Sequence, residues 1–158
     1  MTNMFAASEI VEMGIQIENN GRDFYNILAD RAQFSKSKEI FKYLAGEEER
    51  HIKVFKVMLE GVEQYVPPEA FPGEYFAYMK TLASDYVFTR KGKGEEIAKR
   101  IKSDIEAVEM GIGFEKDSIL FYEGMKKGVP QHELKIVDDL INQEQRHLRQ
   151  LMDLRNNL

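Results

Sequence analysis

The sequence predicts an all-α chain: four long helices forming a bundle of two helix hairpins, joined by a long and partly helical crossover. Three observations carry this expectation. Only four prolines and eleven glycines interrupt 158 residues, and the stretches between them are rich in Glu, Lys, Ile, Leu and Met, which are good helix formers. The links between the long stretches alternate short, long, short. One hairpin pattern also occurs twice along the chain.

The first helix is expected from about Ala6 to Arg31. A second opens near Ser35 or Ser37, either of which can accept a backbone N–H as a cap, and runs to about Glu60. The crossover covers residues 61–102. Its opening VPPEAFPG excludes regular helix, because three prolines remove backbone donors and clash with the preceding turn. GEYFAYMKTLASDYVF and GEEIAKRIK then read as two shorter helices separated by RKGKG, and RKGKGEE is expected to be a solvated loop. The third long helix opens at Ser103, where Ser103-Asp104-Ile105-Glu106 has the form of a capping box, and ends near Gly128. Pro130, at a first-turn position, starts the fourth. Each long helix has about 25 residues and is therefore on the order of 37 Å long. Short links make each pair an antiparallel hairpin, so one domain is expected over residues 1–158: hairpin 6–60, crossover 61–102, hairpin 103–156.

Composition removes several function classes. With no cysteine there is no disulfide, thiolate zinc site, iron–sulfur cluster or thiol nucleophile within the sequence. A net charge of −5, from 22 basic and 27 acidic residues, argues against nucleic-acid binding through phosphate contacts. No run of about 18 apolar residues is present to span a membrane. The opening MTNMFAASEIVEMG lacks the basic and apolar regions of a signal peptide, so a cytoplasmic location is expected.

The internal repeat carries the chemistry. Residues 11–25, VEMGIQIENNGRDFY, align without a gap to residues 108–122, VEMGIGFEKDSILFY. The partner helices match as LAGEEERH (44–51) and LINQEQRH (140–147). Three pairs survive between the copies: Glu18 with Glu115, Glu48 with Glu144, and His51 with His147.

Steps of three and four residues place these side chains on apolar helix faces. In the second helix the row is Phe41, Leu44, Glu48, His51, Phe55 and Met58; in the third, Ile105, Val108, Ile112, Glu115, Ile119 and Tyr122. The fourth gives Val137, Ile141, Glu144, His147 and Leu151, and the first Val11, Ile15, Glu18, Arg22 and Tyr25. Four carboxylates and two imidazoles in a bundle core are costly unless compensated, because burial penalises charge and like charges repel. Two divalent cations would cancel the four charges, and the imidazoles would complete the coordination. Mixed Glu and His donors suit iron or manganese and admit zinc, whereas calcium and magnesium prefer all-oxygen shells. A Glu from each of two helices with Glu-x-x-His from each of the other two is the ligand pattern of di-iron and di-manganese carboxylate bundles, and two long hairpins joined by a crossover describe a ferritin-like topology.

Other polar residues receive plainer expectations. Glu47 and Glu49 flank the stripe as surface charges, and His132, unmatched in the repeat, belongs at the surface. Tyr25 and Tyr122 each follow a stripe glutamate by two turns; each is placed either to orient a ligand carboxylate or to pack as a core tyrosine satisfied elsewhere. The crossover aromatics Tyr75, Phe76, Tyr78, Tyr86 and Phe88 are expected to pack on the bundle or on a second subunit.

On Glu18, Glu48-Glu-Arg-His51, Glu115, Glu144-Gln-Arg-His147 and Tyr25, the sequence resembles the rubrerythrin family of the ferritin-like superfamily over nearly its whole length. The resemblance implies a non-haem di-iron site with Glu48 and Glu144 bridging and the other four residues as terminal ligands. It also implies redox chemistry with hydrogen peroxide or dioxygen, and a homodimer. Two features depart from the family pattern. Rubrerythrins carry a further glutamate three residues after the third-helix ligand, where this chain has Ser118, and usually a Cys-x-x-Cys rubredoxin-like domain, where this chain has no cysteine. The leading expectation is thus a peroxidase fed by an external electron donor such as a rubredoxin-like protein. A ferroxidase or oxidase using dioxygen is the alternative within the same chemistry, and a non-catalytic metal-binding or interaction bundle the alternative outside it.

Overall fold

A computed structural model describes residues 7–68 and 73–158. In chain order its helices are α1 (Ala7–Arg31), α2 (Ser35–Val62), α3 (Glu74–Asp85), α4 (Lys93–Arg100), α5 (Asp104–Met125) and α6 (Leu134–Asn156). Short 3-10 turns occupy Val87–Thr89 and Gln131–Glu133, and no strand occurs among the described residues. Helix α1 packs along α2, and α5 along α6; α4 and the Val87–Thr89 turn lie on α1, and α3 on α5. The expected all-α bundle of two hairpins and a helical crossover is therefore the observed one. No described helix is long and apolar enough to cross a membrane.

The helix ends show where local chemistry was sufficient and where it was not. Ser103 caps α5 by accepting from the Glu106 N–H at 3.2 Å, as the capping box requires. The Glu106 carboxylate returns to the Lys102 N–H at 3.2 Å, one residue before the cap. At α2 neither Ser35 nor Ser37 is the cap. The cap position is Phe34, and the carboxylate of Asp104, on the other hairpin, accepts from the Gln33 and Phe34 N–H groups at 2.9 and 3.0 Å. Pro130 precedes the 3-10 turn rather than opening α6, which starts at Leu134. The RKGKGEE segment is only partly loop: α4 begins at Lys93, and Lys93 pairs with Glu96 at 3.0 Å. Residues 66–68 of the proline-rich segment have no regular structure, and residues 69–72 lie outside the described part.

The core is lined by the predicted stripes with four departures. Phe41, Leu44, Phe55, Met58, Val108, Ile112, Val137, Ile141 and Leu151 are buried. Ile105, in the first turn of α5, is 44% exposed. Ile15 and Ile119 only flank the core. Arg22 turns outward to Glu49 at 2.9 Å, as a guanidinium with no buried partner must.

One buried side chain holds the crossover in place. Asn20 of α1 donates through its Nδ2 to the carbonyls of Phe88 and Arg90, and its Oδ1 accepts from the Gly94 N–H at 3.0 Å. Three backbone groups of the connection are thus satisfied by one amide. The approach is so close that a Cβ on Gly94 would stand 2.0 Å from the Asn20 carbonyl oxygen, so only glycine fits. Arg31 fastens the next segment through the carbonyls of Lys99 and Ile101. Replacing Asn20 by Ala leaves buried backbone groups unpaired at about 1–3 kcal/mol each. The Asn20→Ala variant is therefore expected to lose at least about 2 kcal/mol in urea unfolding, and a loss below about 0.5 kcal/mol would refute the clamp.

Candidate metal centre

Each hairpin supplies three side chains to one level of the bundle: Glu18 from α1 with Glu48 and His51 from α2, and Glu115 from α5 with Glu144 and His147 from α6. None is more than 4% exposed. Helix periodicity aims them inward, and the antiparallel pairing brings the two copies to the same depth. Donor atoms converge in two groups within 4.8 Å: Glu18, Glu48, His51 and Glu144 in one, and Glu48, Glu115, Glu144 and His147 in the other. Glu48 and Glu144 are common to both. All six residues singled out by the repeat are thus brought together.

The imidazoles lie close to the carboxylates. His51 Nδ1 lies 2.7 Å from Glu144 Oε1 and 3.5 Å from Glu18 Oε2. His147 Nδ1 lies 3.7 Å from Glu48 Oε1 and from Glu144 Oε2, and 3.9 Å from Glu115 Oε1. Yet both Nδ1 atoms, with Glu18 Oε2, Glu48 Oε1, Glu115 Oε2 and Glu144 Oε1, are buried without a hydrogen-bond partner. Six buried nitrogen and oxygen atoms, one from each residue, point at a shared interior. Left so, each costs about 1–3 kcal/mol. A pair of divalent cations satisfies all six and neutralises four carboxylates, so the donor set fits such a pair.

The other carboxylate oxygens are oriented by tyrosines, and the pairing crosses between hairpins. Tyr25 of α1 donates to Glu115 Oε1 of α5 at 2.7 Å, and Tyr122 of α5 donates to Glu18 Oε1 of α1 at 2.5 Å. Burial first, then the nearby carboxylates, raises both phenols well above their ordinary range, so they remain neutral donors. Gly21 makes room for the centre: a Cβ there would meet Glu48 Oε2 at 3.0 Å. Beside Glu48 and Glu115 is a void of about 10 Å³, also lined by Gly21, Tyr25, Tyr86 and Ser118, with space for about one water.

Three further residues at the centre carry weak sequence signals or none. Gln143 lies 2.8 Å from His51 Nε2 through its Oε1; it stands beside the stripe, and its repeat counterpart is Glu47. Tyr86, brought by the crossover, donates to the Phe114 carbonyl at 2.9 Å and lies 2.7 Å from Ser118 Oγ. Tyr86 and Phe88 do pack on the bundle as expected, and Tyr78 stays 46% exposed. Glu47 departs from its expected surface role: it is 8% exposed and held by Arg50. Glu49 and His132 are at the surface.

Electrostatics of the metal-free centre follow from this crowding. Burial, and then Glu18 and Glu144, hold the Glu48 carboxyl well above its usual range; burial and Glu144 do the same to Glu115. Burial also acts to raise Glu144, but Glu115 and the two histidines outweigh it and hold Glu144 well below. Burial pulls His51 down, while Glu18 and Glu144 prevail and push it up to about 12. Above neutrality the folded chain therefore keeps protons on Glu48, Glu115 and His51 that the unfolded chain has released, and stability falls as pH rises. Glu144 contributes only below its ordinary pKa, with the opposite sign. The metal-free protein is expected to melt lower at about pH 9 than at about pH 6; equal melting temperatures would contradict the buried cluster.

A search among curated proteins finds no significant match. Among solved structures, a Thermotoga maritima chain proposed to be a ferritin-like diiron-carboxylate protein is 26% identical, with a TM-score of 0.70. The match covers 99% of this chain and 98% of that one. The fold is accordingly ferritin-like. The rubrerythrin family model matches residues 9–155, which includes all six converging side chains and both tyrosines, and the chain belongs to the rubrerythrin family.

Proposed function

We propose that the chain is a non-haem di-iron oxidoreductase that reduces hydrogen peroxide, working as a homodimer with electrons from a separate donor protein. The observation that carries this reading is the set of six buried donor atoms left without partners in two groups that share Glu48 and Glu144. In this reading Glu48 and Glu144 each serve both ions. Glu18 and His51 serve one ion, and Glu115 and His147 the other. Oxygen and imidazole donors together suit iron, with manganese close behind. Two adjacent redox ions supply the two electrons that O–O cleavage requires and a template that orients the small substrate.

The chain's own residues do the rest. Tyr25 and Tyr122 hold Glu115 and Glu18 in orientation and keep a phenolic proton at each carboxylate. Phe24, Phe88 and Phe114 form an aromatic wall that keeps bulk water from the carboxylates. The small void beside Glu48 and Glu115 leaves room for about one water next to the carboxylates. With no cysteine in these 158 residues, they hold no thiolate-bound electron centre of their own, which fits a separate donor.

Elemental analysis tests the centre. Protein purified without added metal is expected to hold about two iron or manganese atoms per chain, and the Glu48→Ala, Glu144→Ala double variant almost none. Equal, low metal in both would remove the basis of the reading.

Stopped-flow oxidation of the reduced, iron-loaded protein tests the reaction. Equimolar peroxide is expected to oxidise it faster than dioxygen. The reverse order assigns it as an oxidase or ferroxidase, and bound metal inert to both makes it structural.

A further inference from the structure

The repeat makes the two halves of the centre near-copies, so their differences are informative. At His51, Nε2 lies 2.8 Å from Gln143 Oε1. An amide oxygen only accepts, so Nε2 bears the hydrogen, and Nδ1 is the atom left to bind a cation. That Nδ1 is already 2.7 Å from Glu144 and 3.5 Å from Glu18.

His147 is placed differently. The repeat counterpart of Gln143 is Glu47, which is committed to Arg50 at 2.5 Å. The His147 ring instead meets the edge of Tyr43, with ring centres 6.3 Å apart at 86°. Its Nδ1 stands 3.7–3.9 Å from each of the surrounding carboxylates, farther than at His51.

We infer that Gln143 is a positioning residue that makes the two metal positions unequal. By accepting the Nε2 proton of His51 it fixes the ring with Nδ1 toward the carboxylates, so the position formed by Glu18, Glu48, His51 and Glu144 fills first with a divalent cation. This rests on the di-metal reading above. The chemistry is general: a hydrogen bond to the distal nitrogen of a ligating histidine fixes its tautomer and orientation, and its loss costs about 10–100-fold in metal affinity.

Gln143 is well placed for substitution. It lines a surface groove of about 530 Å³ whose other walls include Val54, Val57, Ile136 and Leu140. A leucine of similar size fits such walls, so Gln143→Leu removes the acceptor without opening a core cavity. Gln143→Glu keeps an acceptor in the same place.

The test is an anaerobic titration of the metal-free protein with cobalt(II), followed by visible absorption. Two steps are expected for the unaltered chain. Gln143→Leu should weaken the tighter step by about 10–100-fold and leave the other unchanged, and Gln143→Glu should retain both. In the metal-free state, ¹H–¹⁵N spectra should show a slowly exchanging His51 Nε2–H in the unaltered chain and in Gln143→Glu, but not in Gln143→Leu. Unchanged steps in Gln143→Leu, both steps weakened equally, or two identical steps in the unaltered chain would each overturn the inference. An unaltered chain that takes up no cobalt fails the di-metal reading itself and takes this inference with it. That failure is told apart because it appears before any substitution.

Discussion

Four carboxylates and two imidazoles sit at the middle of an apolar bundle, and the rest of the structure is arranged around the free-energy cost of keeping them there. Without a partner each orphaned atom opposes folding, and four buried negative charges oppose one another. The protein meets this at three levels. Tyrosines satisfy one oxygen on each of Glu18 and Glu115, burial and neighbouring carboxylates keep protons on Glu48 and Glu115 while Glu18 and Glu144 keep one on His51, and six atoms are left aimed at a common space. Only the last is unfinished within the chain. A pair of divalent cations would fit it.

The same constraint explains why the two hairpins cannot act separately. Each contributes one Glu and one Glu-x-x-His, yet each orienting tyrosine belongs to the opposite hairpin from the carboxylate it holds. Separating the hairpins would therefore break both groups of donors and both tyrosine contacts together. The crossover adds what the repeat does not encode. Asn20 fastens its turn, and the turn delivers Tyr86 and Phe88 to the side of the centre, where Tyr86 meets Ser118. Symmetry supplies the ligands, and the non-repeated segment supplies the enclosure on one side.

Departures from the repeat are where the two halves acquire different properties. Ser118 stands near the centre with a hydroxyl committed to Tyr86, so that flank carries no fifth carboxylate. Gln143 and Glu47 occupy equivalent positions but serve different partners, a histidine in one case and a surface arginine in the other. A centre built from near-identical halves thus has one imidazole held from behind by an amide and one covered by an aromatic edge.

Much of this was readable in the order of residues. The helices, the hairpin pairing and the inward face bearing Glu18, Glu48, His51, Glu115, Glu144 and His147 follow from a spacing of three and four and from a repeat, both of which are local or self-referential properties of a sequence. Ser103 as a cap follows as well, since its partner is three residues away. Other features required the helices to be assembled. Asp104 caps α2 from 70 residues away, displacing the nearer serines. Tyr25 reaches Glu115 rather than a carboxylate of its own helix, and Gln143 reaches His51 across 92 residues. Arg22 and Ile105 fit the inward period but lie outside the core. Periodicity states which face a residue occupies; what that face meets depends on how distant segments approach, and that is decided only when the bundle closes.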